Sequence, residues 1–120
     1  MQISSLSIDT ISNCFISYSI VYFAFGSENI EADNLVINGN YSFDGGKNIT
    51  IRNSKLISKD AFWNCENVTV YDSVIVGEYL GWNSKNVTFI NCEIETRMSA
   101  LGRNQIGKGF FFFVGNIIIL

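Results

Sequence analysis

Lys47-Asn48-Ile49-Thr50-Ile51-Arg52-Asn53-Ser54 returns nineteen residues later as Glu66-Asn67-Val68-Thr69-Val70-Tyr71-Asp72-Ser73, and nineteen later again as Lys85-Asn86-Val87-Thr88-Phe89-Ile90-Asn91-Cys92. Self-similarity at a fixed spacing near twenty residues marks stacked supersecondary units, each able to bury its apolar face only against its neighbours. Such a period says much about architecture and little about chemistry.

Stepping by nineteen gives one column of Asn29, Asn48, Asn67 and Asn86 and another of Asn34, Asn53, Asp72 and Asn91. Apolar columns run beside them: Ile30, Ile49, Val68, Val87, and Ile37, Leu56, Ile75, Ile94. Within a repeat, Ile49-x-Ile51 and Ser54-x-Leu56 alternate with period two and favour β-branched residues, which reads as short strands joined by Asn, Ser and Gly turns. If each repeat is one coil, equivalent residues lie above one another at the inter-strand spacing of ~4.8 Å. The expected fold is therefore all-β, a single-stranded parallel β-helix (solenoid) with coils of about 19 residues. Stacked amides at that spacing can bond side chain to side chain along the axis, satisfying polar groups at the turns. The expected core is Ile49, Ile51, Leu56, Val68, Val70, Ile75, Val87, Phe89 and Ile94.

A charge column tests this register. Glu28, Lys47, Glu66 and Lys85 alternate in sign, as in-register stacking requires where like charges would repel. Lys59 and Glu78 repeat the device elsewhere. Exposed pairs contribute only ~0–1 kcal/mol each, so they set register more than stability. A leucine-rich repeat would need a Leu-x-x-Leu-x-Leu frame that no repeat supplies. An antiparallel sandwich gives no reason for columns to match at one period.

The chain has 120 residues, 48% of them hydrophobic, with net charge −3, ten Gly and no Pro. No basic stripe exists and the first basic residue is Lys47, so nucleic acid is not an expected partner. Cys14, Cys65 and Cys92 form no CxxC pair and no His is present, which removes a zinc site and a Cys/His catalytic pair; no metal and no cofactor is expected. Free thiols suit a reducing compartment, so the expected location is cytoplasmic, with secretion left open.

Phe15 to Phe25 has the apolar character of a signal-peptide core ending Ala24-Phe25-Gly26, but no Lys or Arg precedes it. Tyr22 to Asn29 falls instead, by steps of nineteen, on Tyr41 to Asn48 and Tyr79 to Asn86, and Ile11 to Ile16 aligns with Phe89 to Ile94, so the segment reads as a further coil. Coils are expected over 1–95, with clear repeats over 22–95. After Glu95 the columns stop, every charge is basic, and Phe110-Phe111-Phe112-Phe113 leads into Ile117-Ile118-Ile119-Leu120. That run is short of the ~20 residues that span a bilayer, so a membrane is not an expected partner. Residues 96–120 read as an atypical apolar tail, either foreign to the repeat sequence through truncation or frame shift, or a hydrophobic cap. Bare apolar surface at that end, and self-association through exposed coil ends, are the expected consequences.

The blocks Gly39 to Asn48, Ser58 to Asn67 and Gly77 to Asn86 resemble an uncharacterised family of right-handed β-helix proteins with a domain of unknown function and a pectate-lyase-like fold. The resemblance covers about Tyr22 to Glu95. It implies right-handed coils, no established reaction, and, because members are longer, a central fragment.

Carbohydrate-active β-helices carry carboxylates along one face. Here Asp44, Asp60 and Glu78 fall in the block after the second strand, with no two acids in one column and no Asp-rich calcium pattern, so no catalytic residue is assigned. Beside them run Phe25, Asp44, Trp63 and Trp82, a column read as outward because Asp44 belongs to it. Ranked aromatic faces could stack on sugar rings, with Asp60, Glu78 and Tyr79 bonding to hydroxyls, which makes Asp44, Asp60, Trp63, Glu78, Tyr79 and Trp82 the candidate ligand site and a poly- or oligosaccharide the candidate partner. The competing reading has Trp63, Trp82, Phe43 and Phe62 filling the core or covering a turn. Two functions stay open: a carbohydrate-binding or carbohydrate-processing β-helix, and a non-catalytic structural or protein-interaction repeat or inactive fragment.

Overall fold

Alternating apolar residues close each nineteen-residue repeat into one turn of a parallel β-solenoid. The computed structural model describes residues 7–21, 23–97, 106–107 and 117–119. Ten strands follow in order: β1 (Ser7–Val21), β2 (Glu28–Asn40), β3 (Lys47–Arg52), β4 (Lys55–Ile57), β5 (Glu66–Tyr71), β6 (Val74–Glu78), β7 (Lys85–Ile90), β8 (Glu93–Arg97), β9 (Ile106–Gly107) and β10 (Ile117–Ile119).

One sheet runs β2–β3–β5–β7 and the other β2–β4–β6–β8; β2 is undivided and serves both. Their registers step by the sequence period. Glu28 faces Lys47, Lys47 faces Glu66 and Glu66 faces Lys85, so the alternating charges stand opposite one another. Leu56 likewise pairs Ile37 and Ile75. All nine expected core residues are buried.

Asparagine turns the corners. Asn29, Asn48, Asn67 and Asn86 have φ of 55 to 58°, and Asn34, Asn53, Asp72 and Asn91 of 50 to 53°. Asn and Asp tolerate this left-handed region better than other side-chain-bearing residues. Their amides also bond along the axis: Asn48 Nδ2 donates to Asn29 Oδ1 at 3.1 Å, Asn67 to Asn48 at 3.1 Å and Asn86 to Asn67 at 2.7 Å. The second column is less uniform, because Asn53 donates to Asp33 rather than Asn34. Next to it, Ser54 Oγ accepts from Leu35 N and donates to Arg52 O, satisfying corner groups that face inward.

β1 is a further coil, parallel to β2, with a kink in its register. Ser7 to Ile16 pair at an offset of twenty-one, whereas Ile20 and Val21 return to nineteen, which places a two-residue irregularity between Ile16 and Ile20. Asn13 sits under Asn34 and accepts its amide at 2.9 Å.

At the other end β10 lies parallel to β7, and β9 antiparallel to β8. The last inward residues, Leu80, Val87, Phe89 and Ile94, are as buried as those of inner coils. Most of the 96–120 tail, including Phe110 to Phe113, lies outside the described residues, as does Tyr22.

Candidate functional site

Each coil closes through a turn, Tyr41–Gly46, Asp60–Cys65 and Tyr79–Ser84, that stacks on its neighbours as regularly as the strands do. Alternate residues take positive φ: Tyr41, Phe43 and Gly45; Asp60, Phe62 and Asn64; Tyr79, Gly81 and Asn83. The backbone N–H groups of these residues bond alternately to the coil on either side. Asp60 N donates to Glu78 O at 2.8 Å and Asn64 N to Trp82 O at 2.9 Å, while Phe62 N donates back to Ser42 O at 2.9 Å. The zigzag sends Phe43 and Phe62 into the core, stacked at 5.6 Å, and turns their neighbours outward.

The outward side chains form one strip. Trp63 and Trp82, on successive coils, have ring centroids 6.0 Å apart at a tilt of 36°. Tyr41 meets Trp63 edge-on at 5.9 Å, and Trp63 Nε1 donates to Tyr79 O at 2.6 Å. Trp82 is 39% exposed and Phe25 44%. The column is outward, yet Asp44, which motivated that reading, is only 9% exposed. Its carboxylate accepts from Asn64 Nδ2 at 3.1 Å, and Asn83 Nδ2 donates to Asn64 Oδ1 at 2.8 Å, a third amide ladder that draws Asp44 against the turn.

Asp60 is the electrostatic centre of the strip. Partial burial raises its pKa above the ordinary carboxylate range, reinforced by the negative charges of Glu78 and Asp44 and opposed by the Tyr41 hydroxyl, which donates to it, and by Lys59. Glu78 lies 3.9 Å from Lys59 Nζ. These two also flank a groove of about 400 Å³ lined further by Asn38, Asn40, Ile57 and Gly77. Gly77 is required there, because a Cβ on it would collide with the Ser58 carbonyl oxygen.

All six candidate residues thus gather around one turn stack. Tyr41 and Lys59 belong to it too. Tyr41 shares the nineteen-residue column of Asp60 and Tyr79, and that is the signal that reaches it. The Asn64–Asn83 ladder was equally visible as a column, but its Asp44 partner belongs to the neighbouring one. The competing packing reading fits all four aromatics as far as geometry goes: Phe43 and Phe62 are in the core, and Trp63 and Trp82 cover the turn from outside.

Cys65 is no nucleophile. Burial pushes its thiol up to about 12, and Sγ donates to Phe43 O at 2.8 Å, so it stays protonated and structural. Burial likewise raises the Cys92 thiol. Among the described residues no group of three or more His, Cys, Asp or Glu side chains could hold a metal ion, and no helix is long and apolar enough to cross a membrane.

A family model described as a protein of unknown function (DUF3737) matches residues 7–101, beginning ahead of Tyr22 and continuing past Glu95. No curated protein and no solved structure matches the chain.

Proposed function

From the premise that the chain belongs to the DUF3737 family, we propose that it is a non-catalytic carbohydrate-binding β-solenoid whose ligand lies along the turn stack. The observation that carries this reading is the Trp63–Trp82 step: two indoles on successive coils, 6.0 Å apart, the outer one 39% exposed, beside the carboxyls of Asp60 and Glu78. Indole faces bury the C–H faces of sugar rings, and flanking carboxylates and hydroxyls accept or donate at sugar hydroxyls. The two indoles stand on successive coils, so a linear glycan parallel to the axis meets both ring faces in turn.

Binding is favoured over catalysis by the state of the two carboxyls. Asp60 already accepts a hydrogen bond from Tyr41, and Glu78 is paired with Lys59. A general acid and base would each need to reach the reacting bond and water. The pectate-lyase-like likeness adds only analogy of fold.

A glycan array on the full chain and on Trp82→Ala tests the reading. Trp82 is exposed, so its loss should leave the melting transition in place while abolishing binding. Silence of the unmodified chain towards every glycan would reject the proposal and favour a structural or protein-interaction repeat.

A further inference from the structure

Deepening the reading above, and resting on it, we infer that the turn strip takes uncharged glycans and rejects polymers of uronic acids. The three stacked turns, Tyr41–Gly46, Asp60–Cys65 and Tyr79–Ser84, contain two acids, Asp44 and Asp60, and no basic residue. The described basic groups that adjoin the turns in the chain are Lys59, Lys47 and Lys85: Lys59 Nζ is 3.9 Å from the Glu78 carboxylate, and strand register sets Lys47 between Glu28 and Glu66 and Lys85 beside Glu66. Each of these ammonium groups therefore has a carboxylate in register or in reach. The charge left over beside the indoles is negative.

The consequence differs for two kinds of sugar. A neutral ring offers hydroxyl donors, and Asp60 has acceptor capacity beyond the Tyr41 bond, so charge-assisted hydrogen bonds form at the rim while the indoles cover the ring face. A uronate brings a carboxylate to the same place. Its charge meets Asp60 with no guanidinium or ammonium group in the turn to receive it, and like-charge juxtaposition of this kind is how interfaces exclude wrong partners.

Calorimetric titration of the full chain with cellohexaose, mannohexaose and hexagalacturonate tests this. At low salt hexagalacturonate should bind at least ~10-fold more weakly than the better neutral hexamer, about 1.4 kcal/mol. The gap should shrink at 1 M salt, where the screening length falls to ~3 Å. Asp60→Asn should also narrow it, by improving hexagalacturonate binding. Equal binding of neutral and acidic hexamers, or a gap unmoved by Asp60→Asn, overturns the inference while leaving carbohydrate binding intact, provided Trp82→Ala still abolishes it. Failure of all three hexamers to bind overturns the inference together with the reading it rests on.

Discussion

The strand corners and the closing turns solve the same backbone problem with opposite chemistry. At the corners, left-handed φ falls on Asn or Asp in every coil, and the residue that tolerates the conformation also supplies the amide or carboxylate that bonds its neighbour. In the turns, comparable φ values fall on Tyr41, Phe43, Asp60, Phe62 and Tyr79. For the Tyr and Phe residues this conformation costs roughly 1–2 kcal/mol each, while Asp60 tolerates it better. Phe43 and Phe62 offset that by filling the core. Tyr41 and Tyr79 do so far less, since they are only partly buried. Strain retained at outward positions is a feature of functional surfaces, and the contrast separates columns that stabilise the coil from columns that display side chains.

Phe62→Ala should strike hardest. Phe62 is fully buried between Phe43 at 5.6 Å and Phe89 at 6.0 Å, so truncation leaves a cavity while keeping the unfavourable φ. Urea denaturation should show a loss of ~3–5 kcal/mol. A loss below ~1 kcal/mol would mean that the inner half of the turn is not part of the core.

Next comes a paired comparison at Asn67, which donates to Asn48 and accepts from Asn86. Asn67→Ala removes both bonds and leaves alanine at positive φ, for an expected ~2–3 kcal/mol. Asn67→Gly removes the same bonds but fits the conformation, and should recover ~1 kcal/mol of that loss. Identical melting temperatures for the two variants would show that the corner is held by the ladder alone.

The smallest effect is a change of pH dependence at Asp60. Its folded pKa is raised, chiefly by burial, so just above the ordinary carboxylate range the native state holds a proton that the unfolded chain has released. That part of the stability is present at low pH and is lost as pH rises through the folded pKa. Asp60→Asn, which keeps an acceptor for Tyr41, should lack this decline and be no less stable than the parent at pH 7. Parallel melting curves for the two proteins from pH 4 to 7 would contradict the burial-raised carboxyl.

Much of this was legible before any coordinates. The nine expected inward strand positions, Ile49, Ile51, Leu56, Val68, Val70, Ile75, Val87, Phe89 and Ile94, follow from period-two alternation carried through a nineteen-residue step, and the alignment of Ile11–Ile16 with Phe89–Ile94 carries the shifted offset by which β1 pairs β2. The site was legible only as residues in columns. No sequence rule places Tyr or Phe at positive φ, so the zigzag that sends Phe62 inward and Trp63 outward could not be phased. Nor could the burial of Asp44 be foreseen, because it depends on an amide from the next coil.

The sequence by itself determined the period, the register, the parallel β-solenoid and the inward columns, because these follow from local alternation and from the requirement that equivalent residues stack. Only the tertiary structure decided which way the turn residues face and what they meet. Asp60, Glu78, Tyr41 and the two indoles come from three successive coils, and their electrostatics and exposure exist only once the coils are stacked.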